Sequence, residues 1–159
     1  MDATTNVVTI IPVKPLSEAK SRLAPFLNKS IHGQLVINML LHVVKIAVKE
    51  TDAVWILSTD DSIKKLARIE GAQWCHDPKP SINQSLEFVF KQVWDEGKFP
   101  LFLPGDLPFL RNDSLKQLIY RGTQKESVVL VPAQKDGGTN AIFIPKFSAF
   151  RFLLGPNSF

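Results

Sequence analysis

A single cysteine, Cys75, occurs in a chain of 159 residues. One thiol cannot close an internal disulfide, so the expected setting is reducing and cytoplasmic. Its neighbours Gln73, Trp74 and His76 suggest a short strand, with Cys75 a buried thiol beside an aromatic ring. Histidine is almost as scarce: His32, His42 and His76 are the three. Their spacing matches no zinc site with Cys75, and no Ser-His-Asp or Cys-His nucleophile arrangement stands out. No apolar run reads as long enough to cross a bilayer, which takes about 20 residues. The polar stretch 1–6 does not resemble a signal peptide, so no membrane partner is expected. Glycine is sparse, with 8 residues. None forms the Gly-rich fingerprint of dinucleotide binders or the Gly-Lys-Ser/Thr end of a P-loop, which disfavours ordinary Rossmann oxidoreductases and P-loop kinases. Nor does one sign of charge dominate. Nineteen Lys and Arg against 15 Asp and Glu leave a net +4. That excess does not call for nucleic acid and suits a site for anionic small molecules.

What is present is ordinary globular composition, 45% hydrophobic and 21% charged, at a length that can bury one core. The β-branched run 7–13 reads as a buried strand. Asn28 or Ser30 offers an N-cap to a long helix, on which Leu35, Met39, Val43 and Ala47 repeat beside Val36, Leu40, Val44 and Val48. Strands follow at 53–57 and 72–75, around a short helix capped by Asp60 or Asp61 that runs to Ile69, with Gly71 just past its end. Ser81 is placed to cap a helix carrying Leu86, Val89, Phe90 and Val93. Residues 99–103 form a further strand, Asn112 or Asp113 caps another helix, and strands at 128–131 and 141–144 complete the pattern. Strand and helix alternate, and the strands are continuously apolar. Both features predict an α/β fold: a three-layer α/β/α sandwich around a mostly parallel, doubly wound sheet. Ligands of such sheets bind at the carboxyl ends of the strands.

Three segments at those ends carry chemistry. The first is Pro12-Val13-Lys14-Pro15-Leu16-Ser17-Glu18-Ala19-Lys20-Ser21-Arg22, which places Lys14, Lys20 and Arg22 within nine residues after the first strand. Arg22 can grip two phosphate oxygens in a fork, and lysines act as point charges. A solvated surface loop has the same composition. The second is Pro104-Gly105-Asp106-Leu107-Pro108, where a turn carboxylate can hold Mg2+ or cap its own backbone. The third is Gly137-Gly138-Thr139-Asn140, joined by Gly155-Pro156-Asn157-Ser158 further on. Their paired glycines and hydroxyls suit an anion, and equally an ordinary hairpin or loop. Asn83, at a helix start, either contacts a base or ribose or belongs to a simple cap.

Taken in order, Ile11-Pro12-Val13-Lys14-Pro15-Leu16, Ala19-Lys20-Ser21-Arg22-Leu23, Gly105-Asp106-Leu107-Pro108, Gly138-Thr139-Asn140-Ala141 and Gly155-Pro156-Asn157-Ser158-Phe159 span the chain. The series resembles the 2-phospho-L-lactate guanylyltransferase family, CofC-like and FbiD-like proteins of the MobA-like nucleotidyltransferase fold. The resemblance implies a nucleotide-diphospho-sugar-transferase-like sheet and a single domain over 1–159. It implies transfer of GMP from GTP to 2-phospho-L-lactate, phosphoenolpyruvate or 3-phosphoglycerate, with Mg2+ and loss of pyrophosphate, in coenzyme F420 biosynthesis. By the same resemblance, Pro12, Val13, Lys14, Lys20, Ser21, Arg22, Asn83 and Asp106 hold the nucleotide. Of these, Lys14, Lys20, Arg22 and Asp106 are catalytic, and Asp106 is the metal ligand. Thr139, Gly155 and Ser158 bind the phosphorylated acid.

Two departures are visible. Ser81-Ile82-Asn83 stands where the family has Gly-Leu-Asn. Relatives also continue past the last motif with a histidine-containing helix and a second metal-ligand aspartate, a segment this sequence is expected to lack. Two rivals stay open: a MobA-like transferase with another acceptor, and a non-catalytic nucleotide-binding homologue. The molybdenum-cofactor branch carries a Gly-rich loop where Lys14-Pro15-Leu16 stands, which argues against it. The acceptor is not fixed, and a homodimer stays open.

Overall fold

The computed structural model describes residues 5–18, 29–77, 79–134, 137–145 and 150–155. The chain runs β1 (Val7–Pro12), α1 (Lys29–Glu50), β2 (Ala53–Ser58), α2 (Asp61–Ile69), β3 (Gln73–His76), α3 (Ile82–Asp95), β4 (Phe99–Phe102), α4 (Asn112–Gln124), β5 (Val129–Ala133) and β6 (Gly138–Phe143). The strands form one sheet in the order β3-β2-β1-β4-β6-β5. The β1–β2, β1–β4 and β2–β3 pairs are parallel. The β4–β6 and β5–β6 pairs are antiparallel, so the sheet is mixed with a parallel centre.

Alternation along β1 explains the layers. Val7 and Ile11 pack with residues of α1, α2 and α4 on one face. Val8 and Ile10 pack with Leu86, Val89, Phe90 and Val93 of α3 and with Phe152 on the other. Side chains on a strand point to opposite faces in turn, so a strand buried on both sides is apolar throughout. Thr9 is the polar exception. Its hydroxyl donates to Thr51 Oγ1 at 3.2 Å, and Thr51 donates to Ala47 O at 2.8 Å, so the buried hydroxyls are satisfied.

Local signals act where they were expected at two helices. Asp60 caps α2 by accepting from Ser62 N, and Ser81 caps α3 by accepting from Gln84 N. Gly71 takes a φ of +76° just beyond α2, a left-handed value that glycine adopts without cost. Helix α4 differs. Its N-cap is Arg111, with no side-chain cap bond. The Asn112 amide instead donates to Glu50 Oε1 at 2.8 Å. Asn112 is the first helical residue rather than the cap, and its amide ties α4 to the end of α1.

The apolar stripe on α1 is narrower than the sequence suggests. Val36, Leu40, Val43, Val44 and Ala47 are buried, while Leu35 and Val48 are exposed. The sequence expectation that no stretch is apolar and long enough to cross a bilayer needs correcting, because Ile31–Glu50 meets that test by length and composition. Its buried stripe packs on the sheet, while Ile31, Leu35 and Val48 stay exposed.

Two glycines on helices give a paired test. A Cβ at Gly122 would stand 2.3 Å from Cδ1 of the fully buried Phe143, whereas one at Gly33 would meet nothing within 4 Å. Gly122→Ala should therefore lose about 1–3 kcal/mol from overpacking. Gly33→Ala should gain about 0.5–1 kcal/mol, since alanine suits a helix interior better. Urea midpoints of the two variants check both signs.

Candidate active site

Because β1, β2 and β4 are parallel, the loops that leave them emerge at one edge of the sheet. Strand β6 runs antiparallel to β4, so its first residues lie at the same edge. The loop after β1 is pinned rather than free. Val13 N donates to Leu57 O at 2.8 Å, which carries the ladder one residue past β1. Leu16 N donates to Asp60 Oδ2 at 3.0 Å, and Val13 and Leu16 pack against the core. Between these anchors Lys14 reaches the surface.

Asp60 therefore does two jobs. One oxygen caps α2, accepting from Ser62 N at 2.9 Å, and the other holds the basic loop. Bonds from the Ser62 hydroxyl and from the Leu16 amide hold its carboxyl below the ordinary value of 3.8, against a smaller opposing effect of burial. The sequence marks Asp60 as a helix cap, but its hold on a loop 44 residues away leaves no local signature.

The loop after β4 lies against the first. A Cβ at Gly105 would stand 3.1 Å from Leu40 Cδ1, 3.5 Å from Ile11 Cγ2 and 3.7 Å from Val13 Cγ2. Only a small residue fits there, and Asp106 follows it directly at the surface. Leu107 and Leu110 anchor the rest of the loop in the core. His42 Nε2 bonds Leu110 O at 2.9 Å from helix α1. This histidine thus braces the loop bearing Asp106. The exposed Asp106 carboxylate carries hard oxygen donors. That suits Mg2+, which takes one or two carboxylates and fills its shell with water and phosphate. Among the described residues no group of three or more His, Cys, Asp or Glu gathers to hold a metal.

Thr139 and Gly155 belong to the other side of the sheet. The register between β5 and β6 shifts between Val131 and Pro132, pairing Val131 with Ala141 but Pro132 with Thr139. The extra residue, Asn140, is a β-bulge, and a bulge resets which way the following side chains point. Asn140 joins Ala141 along a hollow beside α4. Thr139 instead joins Ile142 in lining a cavity of about 420 Å³ with Phe150, Phe152 and Leu154. Asn83 meets this segment from α3: its Nδ2 donates to Leu154 O at 3.2 Å and its Oδ1 accepts from Leu154 N at 2.8 Å. Lys20, Ser21, Arg22 and Ser158 lie outside the described residues. Cys75, expected to be buried, is half-buried on β3, and burial pushes its thiol up, which favours the protonated form.

The sheet thus has a parallel centre, with a basic loop after β1 and a Gly-Asp turn after β4 at one edge, and its fold is that of known nucleotidyltransferases. A structure described as a nucleotide-diphospho-sugar transferase from Desulfovibrio desulfuricans G20 superposes with a TM-score of 0.76 at 14% identity, over 87% of this chain and 63% of that one. A nucleotidyl transferase from Methanothermobacter gives 0.55 at 15% identity, over 86% and 70%. At such identities the likeness shows the fold. Residues 7–159 match the family described as guanylyl transferase CofC like, and the chain belongs to that family. A phosphoenolpyruvate guanylyltransferase of Chloroflexus aggregans is 33% identical, over 93% of this chain and 76% of its own length. A 2-phospho-L-lactate guanylyltransferase of Methanocaldococcus infernus is 28% identical, over 88% and 62%.

The double role of Asp60 predicts a pH signature. Its folded value is depressed, so the ionised carboxylate stabilises the fold above its ordinary value, and that contribution fades as pH falls through the lower native value. Asp60→Asn keeps a capping oxygen but removes the charge. Its melting temperature should lie below that of the wild type by a constant gap above about pH 5, and the gap should begin to narrow near pH 4 and close only as pH falls through the lower native value. A gap independent of pH would contradict this account.

Proposed function

We propose that the protein transfers GMP from GTP to a small phosphorylated acid and releases pyrophosphate, as a step toward coenzyme F420. The observation that carries this reading is the close approach of the backbone at Gly105 to Val13 and Ile11, where even an added Cβ would touch both, so that the loops of Lys14 and Asp106 lie side by side. Family membership over 7–159 supplies the chemistry. Phosphoenolpyruvate is the first acceptor to test, since the 33% identical relative carries that name. 2-Phospho-L-lactate and 3-phosphoglycerate follow.

The acceptor's phosphate oxygen forms a bond to the α-phosphorus of GTP as the bond to the bridging oxygen breaks, and pyrophosphate departs with that electron pair. The attacking phosphate is already ionised, so no protein base is required. Catalysis is then positioning and charge stabilisation. Lys14, Lys20 and Arg22 neutralise the triphosphate and the leaving pyrophosphate, with Ser21 and the backbone of Pro12 and Val13 beside them. Asp106 would hold Mg2+, which supplies further charge neutralisation on the phosphates. Thr139, Gly155 and Ser158 hold the acceptor's phosphate and carboxylate.

The test is pyrophosphate release from four nucleotides with each of the three acceptors. GTP with one phospho-acid should give turnover. Arg22→Ala should lower kcat by about 10²–10³-fold, as does loss of one charge-stabilising donor elsewhere, and Asp106→Asn should abolish the response to Mg2+. Nucleotide binding without release under every condition would favour a non-catalytic binding protein instead.

A further inference from the structure

The segment 150–155 forms neither a strand nor a helix, yet it is organised. Phe152 is buried, Phe150 and Leu154 pack against the α3-side core, and Leu153 is exposed, an alternation with a period of two. Such a segment needs partners for its backbone. Helix α3 supplies them with side chains. Glu87 Oε1 accepts from Phe152 N at 3.1 Å, and the Asn83 amide takes both the N–H and the C=O of Leu154. Asn83 and Glu87 are one helical turn apart, so they project from one face of α3. Phe90, one turn further on, meets the Phe152 ring edge to face at 4.7 Å. A carboxamide carries a donor and an acceptor side by side, which matches the N–H and C=O of a single residue. Asparagine does this where aspartate, an acceptor only, cannot.

We propose that Asn83 and Glu87 are positioning residues for the acceptor, setting Gly155 and the cavity wall facing Thr139, and that Asn83 is not a reader of the nucleotide. The proposal rests on the reading that Gly155 and Thr139 face the phosphorylated acid. Each polar end of Asn83 bonds Leu154, so the segment sets the orientation of the side chain, and only its second N–H and second oxygen lone pair are left over. The structure thereby gives the helix start at Ser81 and Asn83 a task on the acceptor side.

The test separates the two substrates kinetically. Asn83→Ala and Asn83→Asp should raise the KM for the phospho-acid by about tenfold or more, with the KM for GTP unchanged within about twofold, since small misplacements of substrate-holding groups carry large penalties. Glu87→Ala should move the same constant, and Glu87→Gln, which keeps the accepting oxygen, should restore it. Hydrogen exchange at the Phe152 and Leu154 amides should speed up in both alanine variants. A raised KM for GTP with the acceptor constant unmoved would make Asn83 a nucleotide contact and overturn the proposal. Unchanged constants and exchange would overturn it too. Wild-type turnover is the control: its absence would overturn the functional reading and the acceptor role with it, whereas normal turnover with unaffected variants would overturn the clamp alone.

Discussion

The parallel pairing of β1 with both β2 and β4 is the constraint on which the rest depends. A strand paired in parallel on both sides sends its exit loop to the same edge as its neighbours' exit loops. Here that places the loops after Pro12, Ser58 and Phe102 side by side. Parallel neighbours cannot be joined by tight turns, so α1, α2 and α3 must cross over the faces, and their burial makes every central strand apolar. The apolar run of β1 is a consequence of that topology, and so is the place where Lys14 emerges. Without that topology Lys14 would be one surface lysine among many.

The braces on these loops follow from the same arrangement. A loop at a carboxyl edge has lost its strand partner and must satisfy its backbone elsewhere. Asp60 meets the Leu16 amide from the next crossover, and His42 meets Leu110 O from the first. Leu16, Leu107 and Leu110 add apolar anchors. Each loop is thus held at several points while its charged residue, Lys14 or Asp106, faces solvent. Fixed backbones with exposed charges suit a reaction whose barrier is lowered by charge already in place. The same charges on loose loops would have to be ordered by the substrate at an entropic cost.

What could be read from sequence is what local chemistry determines. Ser81 and Asp60 cap their helices because an oxygen at that offset meets an amide wherever a helix starts. Gly71 ends α2 because a left-handed residue is needed there. The order of strands and helices followed from periodicity. The rest required contacts between residues far apart in the chain. Asn112 has the right side chain to cap α4, yet Arg111 holds the cap position and the Asn112 amide reaches Glu50, 62 residues away. The bulge at Asn140 decides which face Thr139 lines, and no residue type at 138–141 announces it. Asn83 was legible as a polar residue at a helix start. Its bond to Leu154, 71 residues on, was not. Among the charged loop residues, Lys14 and Asp106 lie at the expected edge, whereas Lys20, Arg22 and Ser158 fall outside the described residues.

The sheet divides labour between its two faces. The α1 face braces the loops that carry Lys14 and Asp106, through Leu40, His42 and the core around Val13. The α3 face braces the segment leading to Gly155, through Asn83, Glu87 and Phe90. The bulge in β6 lets one strand serve both, presenting Asn140 to the first and Thr139 to the second. A transferase that moves a nucleotidyl group from a triphosphate to a separate small acid, as proposed above, gains from two anion sites that are close together but held independently. If a single loop held both, any shift that improved the grip on one substrate would move the other. Support from opposite layers removes that coupling, and only the line of β1, β4 and β6 between them must stay rigid. The fully buried side chains of Ile10, Ile11, Leu101 and Phe143 along those strands provide that rigidity.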